Sequence, residues 1–474
     1  MTASPHRRGL LAVLLTPLFM TQADATIVNV ANPSIHADLH ASGAELELVV
    51  GSYFVAYAML LITGARLGQL RGYGRLFRVG LSVFTLASLA CGLAPTPIVL
   101  IGARIVQGMG AALMVPQVLT GIQLGFDGAA RVRALSLYTI ALAGGAVVGQ
   151  ILGGVLVSAD LFGTAWRPIF LINVPVGAVV LMAARVLLPG DGYAIDAPHV
   201  DLAGVATLSS AVLLIVLPLI LGREEGWPPW TWLCLGASVP FLAAFIAVER
   251  RLEAREGAPL VNLHVLARQP IAWGLGAQAV AVSTYYALLF TLALYVQDGL
   301  GRSPLTSGLL LVSWVFAFGI PGRLIGRLPG RLAPLVAPAG CLILATAYLA
   351  ITATMLAGHH PTAVLVVLLG AGGLGLGTSF SAMLEHLTRA ATPHYAADIS
   401  GVFTTSLQVA GAMGVAAFGT AYLGLLGGLG AGAPTHAFAI VTAAFAVTAL
   451  IAGAMAYRAT HARATATPRR VELQ

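Results

Sequence analysis

Lysine is absent from this 474-residue chain; all 25 of its basic residues are arginine. An ATPase that cradles phosphate in a glycine-rich loop needs that loop's lysine, and a Schiff-base enzyme needs an amine, so both classes lose their reactive group. Charge of either sign is scarce, at 9% of residues, where soluble proteins carry about 25%. A surface bathed in water is therefore excluded. The three cysteines, Cys91, Cys234 and Cys341, each fall inside an apolar run with no metal-ligand spacing between them. They read as small packing residues rather than redox or metal groups. His359, His360, His386 and His394 likewise lack metal-ligand spacing or a nucleophile motif nearby, so they read as solvated or titrating loop residues. The chain is not expected to be an enzyme, nor to hold a metal.

What it has in abundance is hydrocarbon. Hydrophobic residues make up 58% of the chain, gathered into runs of about 20 residues, the length a helix needs to cross a bilayer. Fourteen such runs begin near Gly9, Glu47, Phe77, Pro97, Arg133, Ile169, Leu202, Thr231, Ile271, Leu305, Pro334, Pro361, Ser400 and Thr435. The net charge of +7 would suggest nucleic acid in a soluble protein. Here it lies in loops between spans, where arginine sets orientation in the membrane. With the N-terminus in the cytoplasm, 21 arginines fall in internal segments and three, Arg167, Arg223 and Arg302, in external ones. That asymmetry supports fourteen spans and two cytoplasmic termini independently of hydropathy. Arg7 and Arg8, ahead of an apolar stretch reaching Ala23-Asp24-Ala25, resemble a secretory leader with its cleavage site. The apolar pattern continues through Ile27 and Val30, so an uncleaved first span is the expectation.

Two ionisable residues stand deep within the expected spans, Asp24 in the first and Arg104 in the fourth, where a charge costs at least about 2–3 kcal/mol. A carboxyl in a low-dielectric cavity can take up a proton from one side and release it to the other, or exchange it for a cationic substrate. The alternative for Asp24 is an interfacial position with Thr26 or Asn29 as hydrogen-bond partner. Arg104 keeps its proton, so it can pair with a carboxylate or carbonyls, tune a neighbour's titration, or simply clamp two helices. Gln107, Gly108, Ala111 and Ala112 follow on its face, and the small ones permit close helix approach. In the fifth span Gly145, Gly149 and Gly153, with Gly154 beside them, form a stripe that suits a sliding contact and tight packing equally. Asn173-Val-Pro175 is expected to break helical hydrogen bonds in the sixth span. After the second and tenth spans, Gly64-Ala-Arg-Leu-Gly68-Gln-Leu-Arg-Gly72 and Gly322-Arg-Leu-Ile-Gly326-Arg-Leu-Pro-Gly330 share one pattern. This echo fits two six-span halves with spans seven and eight inserted between them.

Taken in order, these residues resemble the fourteen-helix drug:proton antiporter branch of the major facilitator superfamily, over nearly the whole chain. Asp24-Ala-Thr-Ile-Val-Asn-Val-Ala-Asn-Pro33 is similar to the branch's Asp-x-Thr-Ile-Val-Asn-Val-Ala-Leu-Pro, with Asn32 in place of leucine. Arg104-Ile-Val-Gln-Gly-Met-Gly-Ala-Ala112 resembles the fourth-helix arginine motif associated with proton coupling. The stripe from Gly145 to Gly154 resembles the fifth-helix antiporter motif. Trp166-Arg-Pro-Ile-Phe-Leu-Ile-Asn-Val-Pro-Val-Gly177 and Ser400-Gly-Val-Phe-Thr-Thr-Ser-Leu-Gln-Val-Ala-Gly-Ala-Met-Gly414 also follow the branch. In the loop motif built on Gly64, Gly68, Gly72 and Arg75, Gln69 stands where the family has an acid that helps latch the outward-facing state. Tyr73 and Gly74 replace its arginines. Gln150 replaces the antiporter-motif proline, Leu48 a second-helix tryptophan, and Trp314 stands near the usual tenth-helix proline.

The resemblance implies an all-α membrane protein of the major facilitator fold with fourteen transmembrane helices. Residues 1–190 would form one six-helix half, 191–268 the two inserted helices, and 269–474 the second half with a short cytoplasmic tail. It implies export of small hydrophobic molecules across the cell membrane by proton antiport, with no cofactor beyond the proton gradient. The single deep carboxylate favours neutral or monocationic substrates, and nothing in the sequence demands more than a monomer. Asp24 would bind the proton with Arg104 as its coupling partner. Tyr53, Tyr57, Gln107, Gln117, Gln278 and Tyr285 are candidates to line a midplane cavity. Two rival readings are export of one metabolite made by the same cell, and a non-transporting membrane receptor descended from a transporter.

Overall fold

The structure, a computed structural model, describes residues 5–160, 163–188, 201–222, 226–254, 263, 267–325, 331–358, 362–390, 396–427 and 432–461. His359, His360, His394, Arg223, the Gly326–Gly330 part of the internal echo and the C-terminal tail lie outside the described residues, as does the side chain of Gln69.

Among the described residues the chain is helical throughout. The first group comprises α1 (Pro5–Leu39), α2 (Gly43–Arg71), α3 (Tyr73–Gly92), α4 (Pro97–Gly125), α5 (Gly128–Ala159), the short α6 (Pro168–Leu171) and α7 (Asn173–Leu187). Two helices follow, α8 (Leu202–Leu221) and α9 (Pro229–Ala254). The last group comprises α10 (Gln269–Leu294), α11 (Pro304–Phe318), α12 (Pro321–Leu324), α13 (Ala333–Leu356), α14 (Thr362–Ala390), α15 (Ala396–Gly414), α16 (Thr420–Leu426) and α17 (Ala433–His461). Helix α10 ends in a π turn, Tyr295–Gly299, and another, Val415–Gly419, joins α15 to α16. Among the described residues eleven helices are long and apolar enough to cross a membrane, and three shorter apolar helices, Gly144–Ala159, Ala203–Leu219 and Pro304–Phe318, fall where the fifth, seventh and tenth spans were expected.

Large apolar side chains cover the outside: Leu86, Ile98, Val186, Phe316 and Val367 are each more than 60% exposed. Such a surface is stable only in hydrocarbon, where every backbone polar group must be satisfied within its own helix. Inside, glycines let backbones meet, as small residues do in membrane bundles. A Cβ on Gly80 would lie 2.7 Å from the Met114 backbone nitrogen, and one on Gly110 would lie 2.6 Å from that of Phe84, so α3 and α4 touch backbone to backbone. Gly64 and Gly108 do the same between α2 and α4. Gly72 links α2 to α3 at φ +86°, a conformation that favours glycine.

Helix α1 packs on α5, α2 and α3 pack on α4, and in the last group α13 packs on α14 and α17 while α11 packs on α14. Helix α8 pairs with α9 and touches α2, whereas the membrane window of α9 is only 17% buried. The two groups meet along α5 with α11 and α2 with α15. Among the described residues several of their polar contacts lie at the end of the bundle away from residue 5. There Gln297 donates to the Val30 carbonyl at 2.9 Å, the Leu305 amide donates to Ser158 at 3.2 Å, and Thr420 donates to Glu47 at 2.9 Å.

Candidate functional site

Asp24 lies at the middle of α1, 1% exposed. Its Oδ2 accepts from Nη1 of Arg104. Its Oδ1 accepts from the Gln107 amide at 2.8 Å and from the Asn173 amide at 3.0 Å. Thr26 and Asn29, the alternative partners, bond elsewhere: Asn29 donates to the Ala25 and Thr26 carbonyls, and Thr26 to Gln22, Ala23 and Ala146. Arg104 also donates from Nε to the Val49 carbonyl at 3.0 Å and from Nη1 to Gln107 at 2.8 Å. Its guanidinium sits over the Tyr53 ring, 4.4 Å from the centroid, with Phe170 at 5.6 Å. Ser88 on α3 closes the network, accepting from Gln107 at 3.2 Å and Asn173 at 3.0 Å and donating to the Phe170 carbonyl at 2.9 Å.

Each partner is delivered by a local feature of the sequence. Gln107 is one helical turn beyond Arg104, so both reach the same carboxylate from α4. The expected break in the sixth span falls at Ile172, between α6 and α7. Pro175 has no N–H to give the Leu171 carbonyl, and Asn173 at the start of α7 turns inward to Asp24. Gly108 leaves no room for a Cβ against the Tyr53 carbonyl, which brings α2 onto α4 and the ring under the guanidinium.

The glycine stripe of α5 serves two neighbours. Cβ atoms on Gly145 and Gly153 would lie 2.6 Å and 2.9 Å from the Phe19 and Ile27 carbonyl oxygens of α1, and Gly149 abuts Ala23 and Thr26. Gly154 faces the other way, with Leu305 of α11 2.8 Å from its would-be Cβ. Gln150 is buried and donates to the Thr26 carbonyl at 3.1 Å.

The cavity candidates separate. Tyr53 and Gln107 belong to the Asp24 network. Gln117 ties α4 to the second-helix motif, donating to the Gly64 carbonyl at 2.8 Å, with Gly68 leaving space for its amide. Gln278 donates to the Ser379 carbonyl at 3.2 Å, and Cys341 lies 3.1 Å from the Ser379 hydroxyl. Tyr57 and Tyr285 lie between the two groups of helices. Tyr57 hydrogen-bonds Gln408, and Tyr285 packs beside Tyr286, whose ring meets Phe54 across the groups at 4.6 Å. Arg75 is exposed at the start of α3.

Burial of charge is not confined to Asp24 and Arg104: towards the ends of their helices Glu47 is 1% and Glu249 is 0% exposed. Hydropathy put Glu47 at the edge of a span. Helix α2 begins at Gly43, and α8 and α16 close over its first turn, so packing rather than position along the helix decides the burial. Sequence reasoning passed over Ser88 and Tyr286, whose only signal was a polar or phenolic group within an apolar run, and it met Gln408 only as part of the Ser400–Gly414 motif.

The family profile described as Major Facilitator Superfamily matches residues 14–415. The chain is 37% identical over 417 residues to the probable actinorhodin transporter of Streptomyces coelicolor, covering 87% of this chain and 72% of that one. It is 32% identical to the tetracenomycin C resistance and export protein of Streptomyces glaucescens, over 84% of this chain and 73% of that one. It is 30% identical to the multidrug resistance protein Stp of Mycobacterium tuberculosis, over 87% and 75%. Among solved structures, a bacterial homologue of the human lysosomal transporter Spinster, inward-facing and occupied, superposes with a TM-score of 0.70 at 17% identity over 97% of both chains. An auto-inhibited POT-family peptide transporter does so with 0.70 at 16% over 98% of both. Buried charge in a lipid-facing helical bundle, the ordered motifs and these relatives agree: the chain is a membrane transporter, not an enzyme, and belongs to the Major Facilitator Superfamily.

Proposed function

We propose that the protein exports small hydrophobic compounds, drugs or antibiotics, by proton antiport, with Asp24 as the proton site. The observation that carries this reading is the Asp24 carboxylate, buried near the middle of α1 and held by donors from α4 and α7. Arg104 remains charged at any accessible pH, so the proton balance of the network is set at Asp24. A proton arriving on Oδ2 displaces Nη1 of Arg104, which keeps its bonds to the Val49 carbonyl and Gln107. That exchange loosens α1 from α4. Loss of the proton restores the pair and draws the two helices together. Coupling then amounts to a differential stability of two arrangements of α1, as any ligand-driven switch requires.

The joined far end of the bundle supports an inward-facing state, provided the N-terminus is cytoplasmic as the arginine distribution indicates. In this reading fourteen spans, two halves at 1–190 and 269–474, and the inserted pair at 191–268 act as a monomer. Substrate enters from the cytoplasm or inner leaflet. Arginine-rich inner loops are the orientation signal, not a nucleic-acid surface. A narrower variant, export of one metabolite made by the same cell, is favoured by the names of two relatives, a probable actinorhodin transporter and a tetracenomycin C resistance and export protein.

The test is dye or antibiotic efflux in inverted vesicles under an imposed pH gradient, comparing native protein, Asp24→Asn and empty membranes. Gradient-driven transport lost in the variant is the expected result. Gradient-driven transport at the native rate in Asp24→Asn places the proton site elsewhere.

A further inference from the structure

Helices α3 and α7 pack together with one side turned to the outside of the bundle. They close on each other at Gly177, where a Cβ would lie 2.2 Å from the Thr85 hydroxyl oxygen. From that contact towards the end of the bundle where Gly9 of α1 abuts Leu187, the surface opens into a groove of about 330 Å³. That is the size of a small-molecule site. Arg78, Ser82 and Leu86 recur every fourth residue along one face of α3, with Val79 and Val83 beside them. Leu181 and Arg185, also four apart, form the opposite wall on α7.

The groove is charged at one end and apolar along the rest. Arg78 and Arg185 stand nearest the end that holds residue 5, and the valines and leucines continue from them towards the middle of the bundle. From Arg78 to Leu86 the helix rises about 12 Å, most of one leaflet's share of a hydrocarbon core about 30 Å thick. The opening faces outwards. Val79 is 44% and Leu86 67% exposed, whereas Ser88, on the other face of α3, is fully buried in the Asp24 network. A molecule in the groove would therefore lie in the bilayer, apart from the proton site.

Neither α3 nor α7 carries an aspartate or a glutamate. Ser82 gives its proton to the Arg78 carbonyl at 2.8 Å, so the side-chain donors that the groove offers a ligand are the two guanidinium groups. Arg7 and Arg8 at the start of α1 and Arg75 at the start of α3, all exposed, add positive charge at the same end. A guanidinium presents its N–H groups as a planar fork that matches a phosphate, and basic pockets between membrane helices hold anionic head groups. We propose that this groove binds an anionic glycerophospholipid, with the phosphodiester between Arg78 and Arg185 and one acyl chain along Val79, Val83, Leu86 and Leu181. A free phosphate would leave the apolar track unused. A zwitterionic lipid would bring its own cation against the arginines. The site and its test are independent of the export reading.

Native mass spectrometry of the purified full-length protein in mild detergent decides it, with phosphatidylglycerol, phosphatidylcholine of the same acyl chains and inorganic phosphate as probes. Phosphatidylglycerol is expected to bind most tightly. Arg78→Gln and Arg185→Gln are each expected to weaken it about fivefold. Val83→Trp, which fills the apolar track and keeps both charges, is expected to weaken it too. Arg458→Gln, which alters an arginine of α17 stacked over Trp273 at 4.9 Å, is expected to change nothing. Phosphatidylglycerol bound equally by the native protein and the double arginine variant overturns the proposal, as does phosphatidylcholine bound as tightly. A loss in Arg458→Gln as large as in the groove variants would assign the binding to diffuse surface charge and overturn it. Inorganic phosphate that displaces the lipid from native protein and Val83→Trp alike would make this a free-anion site and overturn the lipid assignment. Should the double variant fail to fold, the comparison of the two lipids on the native protein decides alone.

Discussion

Gln150 and Thr26 hold each other across two helices: the Gln150 amide donates to the Thr26 carbonyl at 3.1 Å, and the Thr26 hydroxyl donates to the Ala146 carbonyl, also at 3.1 Å. Ala146 is four residues before Gln150, so its carbonyl is the one that a proline at position 150 would strip of its helical donor. The Thr26 hydroxyl already covers it. The Gln150→Pro variant, which restores the family residue, is therefore expected to fold and reach the membrane. Combining it with Thr26→Val, which removes the substitute donor, should cost about 1–3 kcal/mol beyond the sum of the single changes. A double-mutant cycle on thermal stability measures that excess, and simple additivity would show that the two residues act independently.

Arg104 is expected to matter for stability as well as transport. Removing one partner of a buried pair strands the other's charge, at about 3–5 kcal/mol. Arg104→Ala should therefore lower the thermal midpoint far more than Asp24→Asn, which keeps an acceptor and leaves Arg104 its Val49 and Gln107 bonds. Equal stability losses would mean that the pair is not the centre of the network.

Asn173 donates both to Asp24 and to Ser88 at 3.0 Å. Asn173→Leu fills similar space and removes both bonds. Efflux is expected to fall about tenfold or more, with surface expression retained, and unchanged efflux would confine Asn173 to the helix break.

Gly308 abuts the Gln150 carbonyl with no room for a Cβ, and this contact joins the two groups at the far end. Gly308→Val should leave each group folded but part them there. A cysteine at Ser158, which donates nothing to the core and meets the Leu305 amide at 3.2 Å, then becomes more reactive to a membrane-impermeant maleimide. Unaltered labelling would mean that the contact does not close the far end.

Asn32 replaces the branch's leucine, and its side-chain oxygen and nitrogen are both buried without partners among the described residues. Unpaired polar groups in an apolar interior cost about 1–3 kcal/mol. Asn32→Leu should raise the thermal midpoint by an amount of that order, and a loss of stability would show that Asn32 is satisfied in the folded protein.

The sequence by itself determined that this chain lives in a bilayer. Hydrophobic runs with little charge leave no other solvent, and within hydrocarbon the backbone has only helix as a lasting option for such runs. It also marked Asp24 and Arg104, because a charge is expensive there and stands out against its neighbours. Gln107 and Asn173 were visible, one as a cavity candidate and the other as part of a helix break, yet that both serve Asp24 was not. Their contact depends on α1, α4 and α7 converging, and hydropathy along one strand of sequence holds no term for which faces meet. For the same reason Glu47 was visible as the start of a span but its burial was not: α8 and α16 cover it from outside its own helix. The groove that joins Arg78 to Arg185 is likewise a property of the tertiary structure. In sequence they are two ordinary arginines at the inner ends of different spans, and only the packing of α7 on α3 sets both on one surface.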